Sequence, residues 1–230
     1  MKFKLLFFTF ILFAANFSGI AQTTPTDDVN IRSDVGLVFP IIKSTDKSGK
    51  EFDRLTFTLT GTFRFYDNAS YLADKRIGGS FTYRLNKNVS FIPEYFYRSN
   101  KPVAGRKEFE SRVRFAAVFE NKWKKFSIAN RNMVEYRIRN SRENSFRYRN
   151  RLRFNYPILK NDKEIITPFV STEPFYDFST KNFTQNELFA GFSKKFNKNV
   201  SADFYYLLVN SRSNPKTING FGVNFKFRIE

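Results

Sequence analysis

The side chains best placed to do chemistry here are arginines and carboxylates set two residues apart. Arg147, Arg149, Arg151 and Arg153 occupy every second position of FRYRNRLRF. That spacing puts all four on one face of an extended strand, about 7 Å apart along it. Glu108, Glu110, Arg112 and Arg114 repeat the device in EFESRVR. Two carboxylates on one face could serve as general acid and base. The arginines that follow on the same face give the plainer account, which is ion pairing. A guanidinium holds several oxygens at once and tolerates burial when paired. Histidine and cysteine are absent from all 230 residues. This excludes Ser-His and Cys-His dyads, disulfides and nearly all transition-metal sites. We expect no enzymatic activity, no cofactor and no metal.

Basic residues interleaved with aromatics can also form a surface for nucleic acid, but a stacking platform needs both types on one face. In residues 145–156 they lie on opposite faces: Phe146, Tyr148, Leu152, Phe154 and Tyr156 against the four arginines. No nucleic-acid partner is expected.

The strands that carry these faces can be read from their period of two. In 54–65, Leu55, Phe57, Leu59, Phe63 and Phe65 alternate with Arg54, Thr56, Thr58, Thr60, Thr62 and Arg64. Residues 76–85, 145–156 and 220–229 are equally clear, and 89–98, 108–119, 126–139, 165–177, 186–196 and 200–210 are weaker. Residues 30–39 are a further candidate. Tight turns rich in Asn and Lys are predicted at one end of the strands and longer loops at the other, at 67–75, 99–107, 140–144, 178–184 and 211–219.

A soluble sandwich would also alternate. Three features favour a membrane barrel. The strands run about 10–13 residues, long enough to cross a bilayer at a tilt. A closed barrel satisfies every strand edge, as lipid demands. Tyr66, Tyr83, Tyr97, Tyr136 and Tyr156 lie toward strand ends, as an interfacial girdle requires. The expected fold is therefore an all-β, antiparallel, up-and-down transmembrane barrel of about ten strands over 54–230. Twelve is the alternative, because single-chain bacterial barrels usually have even counts. Phe57, Phe81, Phe115, Phe154 and Phe225 are expected mid-strand, facing lipid.

The first 21 residues, MKFKLLFFTFILFAANFSGIA, read as a Sec-type signal peptide. Lys2 and Lys4 precede a short apolar run, and Gly19 and Ala21 supply a cleavage site before Gln22. Residues 22–53 form an N-terminal segment with room for one extra strand. The address expected is the outer membrane of a Gram-negative cell, with lipid as the surroundings. The net charge of +18 suits contact with anionic headgroups or small anions.

Inside such a barrel the polar face lines the lumen. We expect it to present Arg112, Arg114, Glu135, Arg137, Arg147, Arg149, Arg151 and Arg153, with Glu94, Glu108 and Glu110 as acidic partners; Glu187 and Asp203 share that face, and Glu173 is a further candidate. Acids on that face fall short of its arginines, so pairing should leave residual positive charge. Two roles stay open: a structural or interaction barrel plugged by ion pairs, which we favour, and a small anion or solute channel.

Three stretches carry a family likeness: RNRLRFNYPI (149–158), STEPFYDF (171–178) and TQNELFAGFSKKFNKNVSADFYYLL (184–208). They resemble a Bacteroidetes-rich family of outer-membrane proteins known as DUF 2490, a domain of unknown function. The family pattern usually has Arg where this chain has Glu187. The resemblance implies a barrel and an outer-membrane address, and no assigned activity.

Overall fold

The computed structural model describes residues 27–229 apart from 47, 48, 50, 67, 104, 105, 214 and 215. The expected signal peptide and the first residues of the 22–53 segment lie outside the described residues. Alternation does what it should locally: β-branched and aromatic residues on one side favour the pleated backbone, and the chain forms strands throughout. They are β1 (Asp27–Thr45), β2 (Glu51–Tyr66), β3 (Tyr71–Arg84), β4 (Val89–Val103), β5 (Arg106–Lys122), β6 (Ser127–Arg139), β7 (Ser145–Asn155), β8 (Ile158–Lys160), β9 (Lys163–Asp177), β10 (Asn182–Lys195), β11 (Val200–Ser211) and β12 (Thr217–Arg228).

Eleven of these close into a barrel, with β7 pairing β9 directly and the short β8 attached outside as a hairpin on β9. The 30–39 candidate is thus a full barrel strand, part of the 19-residue β1. It needs no twelfth partner. In an odd-numbered meander the first and last strands run the same way, so β1 pairs β12 in parallel, from Asp27 opposite Thr217 to Val38 opposite Arg228. All other pairings are antiparallel. Pro93, Pro168 and Pro174, which cannot donate to a ladder, are accommodated inside β4 and β9.

The expected contrast between short turns and long loops is absent. Strand pairing continues past the ends of clean alternation, so β3 begins at Tyr71 and β4 reaches Val103. No connection exceeds five residues except 156–162, which carries β8. We call the end with turns 85–88, 123–126 and 196–199 the first rim, and the other the second rim. The repeated NKNVS turns at 86–90 and 197–201 fold alike. Asn86 Oδ1 accepts from the backbone N–H of Asn88 at 2.8 Å, and Asn197 Oδ1 from that of Asn199 at 2.8 Å. These are Asx turns, the reason Asn suits the position.

The outer surface carries the apolar set. Phe81, Phe115, Phe154, Ile77, Tyr95, Val113 and Phe221 are among its exposed side chains. Phe57 and Phe225 lie on the same side, half-covered by ring neighbours: Phe57 meets Phe81 at 5.1 Å and Phe225 meets Phe227 at 6.2 Å. Phe154 is not mid-strand. It sits one residue from the end of β7 and stacks on Phe126 at 5.5 Å, which stacks on Trp123 at 4.7 Å. Tyr83, Tyr97, Tyr136 and Tyr156 are exposed outside. Tyr66 is not. It keeps the even phase of β2, the phase of Thr62 and Arg64, and its hydroxyl meets Asp74 inside at 3.4 Å. One polar island interrupts the outer face, where Asn130, Asn132 and Asn150 bond one another and Tyr148 donates to Asn132. Mutual bonding satisfies these amides without water.

Candidate functional site: the arginine–carboxylate lumen

Inside the barrel, alternation delivers one charged row per strand. Even residues of β2, β3, β4 and β5 point inward, as do odd residues of β6, β7, β9 and β10. The pleat alone would leave arginines facing arginines. Across the ladders, Arg76 lies opposite Arg98, Arg112 opposite Arg137, and Arg131 opposite Arg151. Like charges directly opposed destabilise a sheet. Each of these pairs is bridged by one carboxylate.

Asp74 accepts from Arg76 Nε and Arg98 Nε, both at 3.0 Å. Glu110 accepts from Arg112 Nε at 2.9 Å and Arg137 Nη2 at 2.9 Å, and from Arg98 at 3.3 Å. Glu135 takes Arg114 Nε at 2.7 Å and Arg147 Nε at 3.0 Å, with Arg112 at 3.6 Å and Arg149 at 3.7 Å. Glu173 takes Arg131 at 2.8 Å, Arg149 Nε at 2.9 Å and Arg151 Nε at 2.6 Å. Glu187 accepts from Arg32 at 2.9 Å across the lumen. Ten arginines therefore share five carboxylates. Asp74, Glu135 and Glu173 have no solvent exposure at all. An ionised carboxylate offers about four acceptor sites, which is how one acid can serve three or four guanidiniums. Glu94 adds a contact to Arg114 at 3.3 Å, and Asp203 one to Arg153 at 3.1 Å. At the first rim Asp53 pairs with Arg228.

Aromatic rings fill the remaining space and stack beneath the guanidiniums. Arg114 lies over Phe96 at 4.6 Å, Arg149 over Phe175 at 4.3 Å, Arg151 over Phe189 at 4.7 Å and Arg153 over Phe169 at 3.7 Å. Cation–π contacts gain strength where water is excluded. Two cavities lie among these side chains. One of about 210 Å³ lies toward the second rim, bounded by Tyr66 and Ser213, and one of about 270 Å³ lies toward the first, bounded by Asp203 and Lys226. Arg32, Arg64, Arg76, Arg149 and Glu187 border both.

Of the lumen residues named from sequence, Arg112, Arg114, Glu135, Arg137, Arg147 and Glu110 are buried inside the barrel. Arg149, Arg151, Arg153 and Glu94 join the same network. Glu108 is half-buried, two residues rimward of Glu110 on β5. Glu110 is held by three arginines, Arg98, Arg112 and Arg137. Sequence reasoning set Arg64 and Arg76 on the polar face without naming them as lumen residues, and did not name Arg32, Asp74, Arg98 or Arg131. Asp74 fell in a predicted loop. The others share the phase of neighbours that were named, and that phase was the signal available.

Among the described residues no group of three or more acids could hold a metal ion, and no helix is long and apolar enough to cross a membrane. No curated protein matches the sequence. Two solved structures are similar. LpxR from Salmonella typhimurium shares 9% identity at a TM-score of 0.44, over 79% of this chain and 84% of that one. An anion-selective porin from Comamonas acidovorans shares 9% identity at a TM-score of 0.37, over 78% of this chain and 58% of the porin. Likeness this distant carries no argument about function. Residues 44–219 match the family described as "Protein of unknown function (DUF2490)". That span runs from the end of β1 into β12 and includes all eight carboxylates placed in ion pairs above; the chain belongs to the DUF2490 family.

Proposed function

We propose that this chain is an outer-membrane barrel with a structural or interaction role, its lumen closed by the arginine–carboxylate network. The observation that carries the reading is the sharing of five carboxylates by ten arginines, together with ties between strands that are not neighbours in the barrel. Arg32 of β1 meets Glu187 of β10, Arg131 of β6 meets Glu173 of β9, and Arg153 of β7 meets Asp203 of β11. Side chains tied across a lumen cannot part for a solute without leaving buried charges exposed to one another. The exposed aromatic outer surface supports the membrane address, because a soluble protein rarely exposes so much contiguous apolar area. Lys87, Lys124 and Lys125 at the first rim are placed to meet anionic headgroups. No reaction is assigned. The excess of arginine over acid favours one second reading, a small anion-selective channel.

The address is tested by expressing the full-length gene in a Gram-negative host. We expect the protein in the outer-membrane fraction, extractable only with detergent, with Gln22 at its N-terminus. Recovery from the soluble periplasm without detergent would overturn the membrane reading.

A further inference from the structure

The bridging rule has one exception. Arg32 and Arg64 are directly opposed across the β1–β2 ladder, their Cα atoms about 5 Å apart. Asp74, Glu110 and Glu173 each bridge both members of another such pair. Glu187 reaches only Arg32, through Nη1. Among the described residues no carboxylate lies in ion-pairing range of Arg64, and the Nε atoms of both Arg32 and Arg64 have no hydrogen-bond partner. Arg32 is buried, at 6% exposure. Both side chains border the two cavities, as do Arg76, Arg149 and the carboxylate of Glu187, which Arg32 neutralises. The place where a carboxylate is missing is thus a place with space beside it.

We propose that the Arg32–Arg64 pair binds a phosphate-type oxyanion that takes the role Asp74, Glu110 and Glu173 play elsewhere. A tetrahedral oxyanion suits the site because it offers several acceptor oxygens to two planar donors, as bidentate guanidinium recognition requires. A halide offers one point of charge and no fork. The cavity of about 210 Å³ toward the second rim admits an anion of that size. The proposal deepens the plugged-lumen reading without depending on the membrane address. A bound anion would be the last member of the plug, and it would offset charge that the chain's own acids leave over.

The test uses the full-length barrel in detergent, with thermal unfolding and calorimetric titration at constant ionic strength. Inorganic phosphate and glycerol 3-phosphate should raise the unfolding temperature at concentrations where chloride does nothing. Arg64→Met should weaken phosphate binding at least tenfold. Arg54→Gln, which removes an arginine at the first rim that borders neither cavity, should leave it unchanged. A response to phosphatidic acid in the micelle but not to the soluble anions would assign the site to a lipid headgroup. Equal responses to phosphate and chloride would overturn the proposal, as would full phosphate binding by the Arg64→Met protein. Arg64→Met is not expected to fail to fold, because Arg64 is half-buried and makes no ion pair even with Asp74, its neighbour across the β2–β3 ladder. Should it do so, Arg64→Lys supplies the second reading: loss of the bidentate fork must still weaken phosphate at least tenfold.

Discussion

Glu135→Gln should cost the barrel about 3–5 kcal/mol of stability, the range for removing one partner of a buried ion pair. The side chain is fully buried and nearly isosteric with its replacement, so packing hardly changes. What changes is charge. Arg114 and Arg147 lose a carboxylate at 2.7 and 3.0 Å, and Arg112 and Arg149 lose one within 4 Å. Arg114 keeps Glu94. Arg147 lies opposite Glu135 in one ladder and Asp177 in the other, and among the described residues Glu135 is the carboxylate within ion-pairing range of it. Adding Arg147→Met to Glu135→Gln should therefore recover part of the loss, since removing both charges spares the stranded one. Urea unfolding in lipid vesicles measures all three proteins. A cost below about 1 kcal/mol for Glu135→Gln, the range of an exposed pair, would mean that the lumen is hydrated and the network is not what holds it.

The second large effect belongs to the outer surface. Phe115 is 47% exposed in the middle of β5, beside Phe91 at 6.1 Å. If that surface faces lipid, Phe115→Arg should cost about 2–4 kcal/mol. Phe154→Arg should cost less, because Phe154 ends β7 in the aromatic cluster of Trp123 and Phe126 and an arginine there reaches the interface, where the penalty falls to about 0–1 kcal/mol. The contrast matters more than either value. Equal, near-zero costs at both positions would favour a soluble barrel.

Much of this was legible because a strand's two faces are fixed by parity. Once Arg147 was placed inside, Arg149, Arg151 and Arg153 had to follow, and Phe146 and Phe154 had to lie outside. The same parity explains the errors. Tyr66 shares its phase with Thr62 and Arg64, yet was assigned to the outer girdle on its position near a strand end. Phe169 and Phe175, to which no face was assigned, share theirs with Glu173 and point inward. They are inside because guanidiniums need a surface to lie on, and carboxylates alone do not fill a lumen. Asp74 escaped notice because Asp74, Lys75 and Arg76 put charge at three successive positions, which reads as loop although Asp74 keeps the inward phase of Arg76. The strand number was illegible for a different reason. Ten, eleven and twelve strands share the same local pattern, and the odd count shows only in the closure, where β1 meets β12 in parallel.

Whether the lumen is closed is tested most directly by planar-bilayer recording of the purified wild-type barrel. The network described here predicts no conductance above the bilayer's own, at neutral pH and moderate salt, over many insertions. Arg149→Ala, which removes the guanidinium between Glu135 and Glu173, should loosen the barrel before it opens a stable path. A steady, anion-selective conductance in the wild type, falling when Arg149 and Arg151 are neutralised, would contradict a plugged lumen and establish the channel instead.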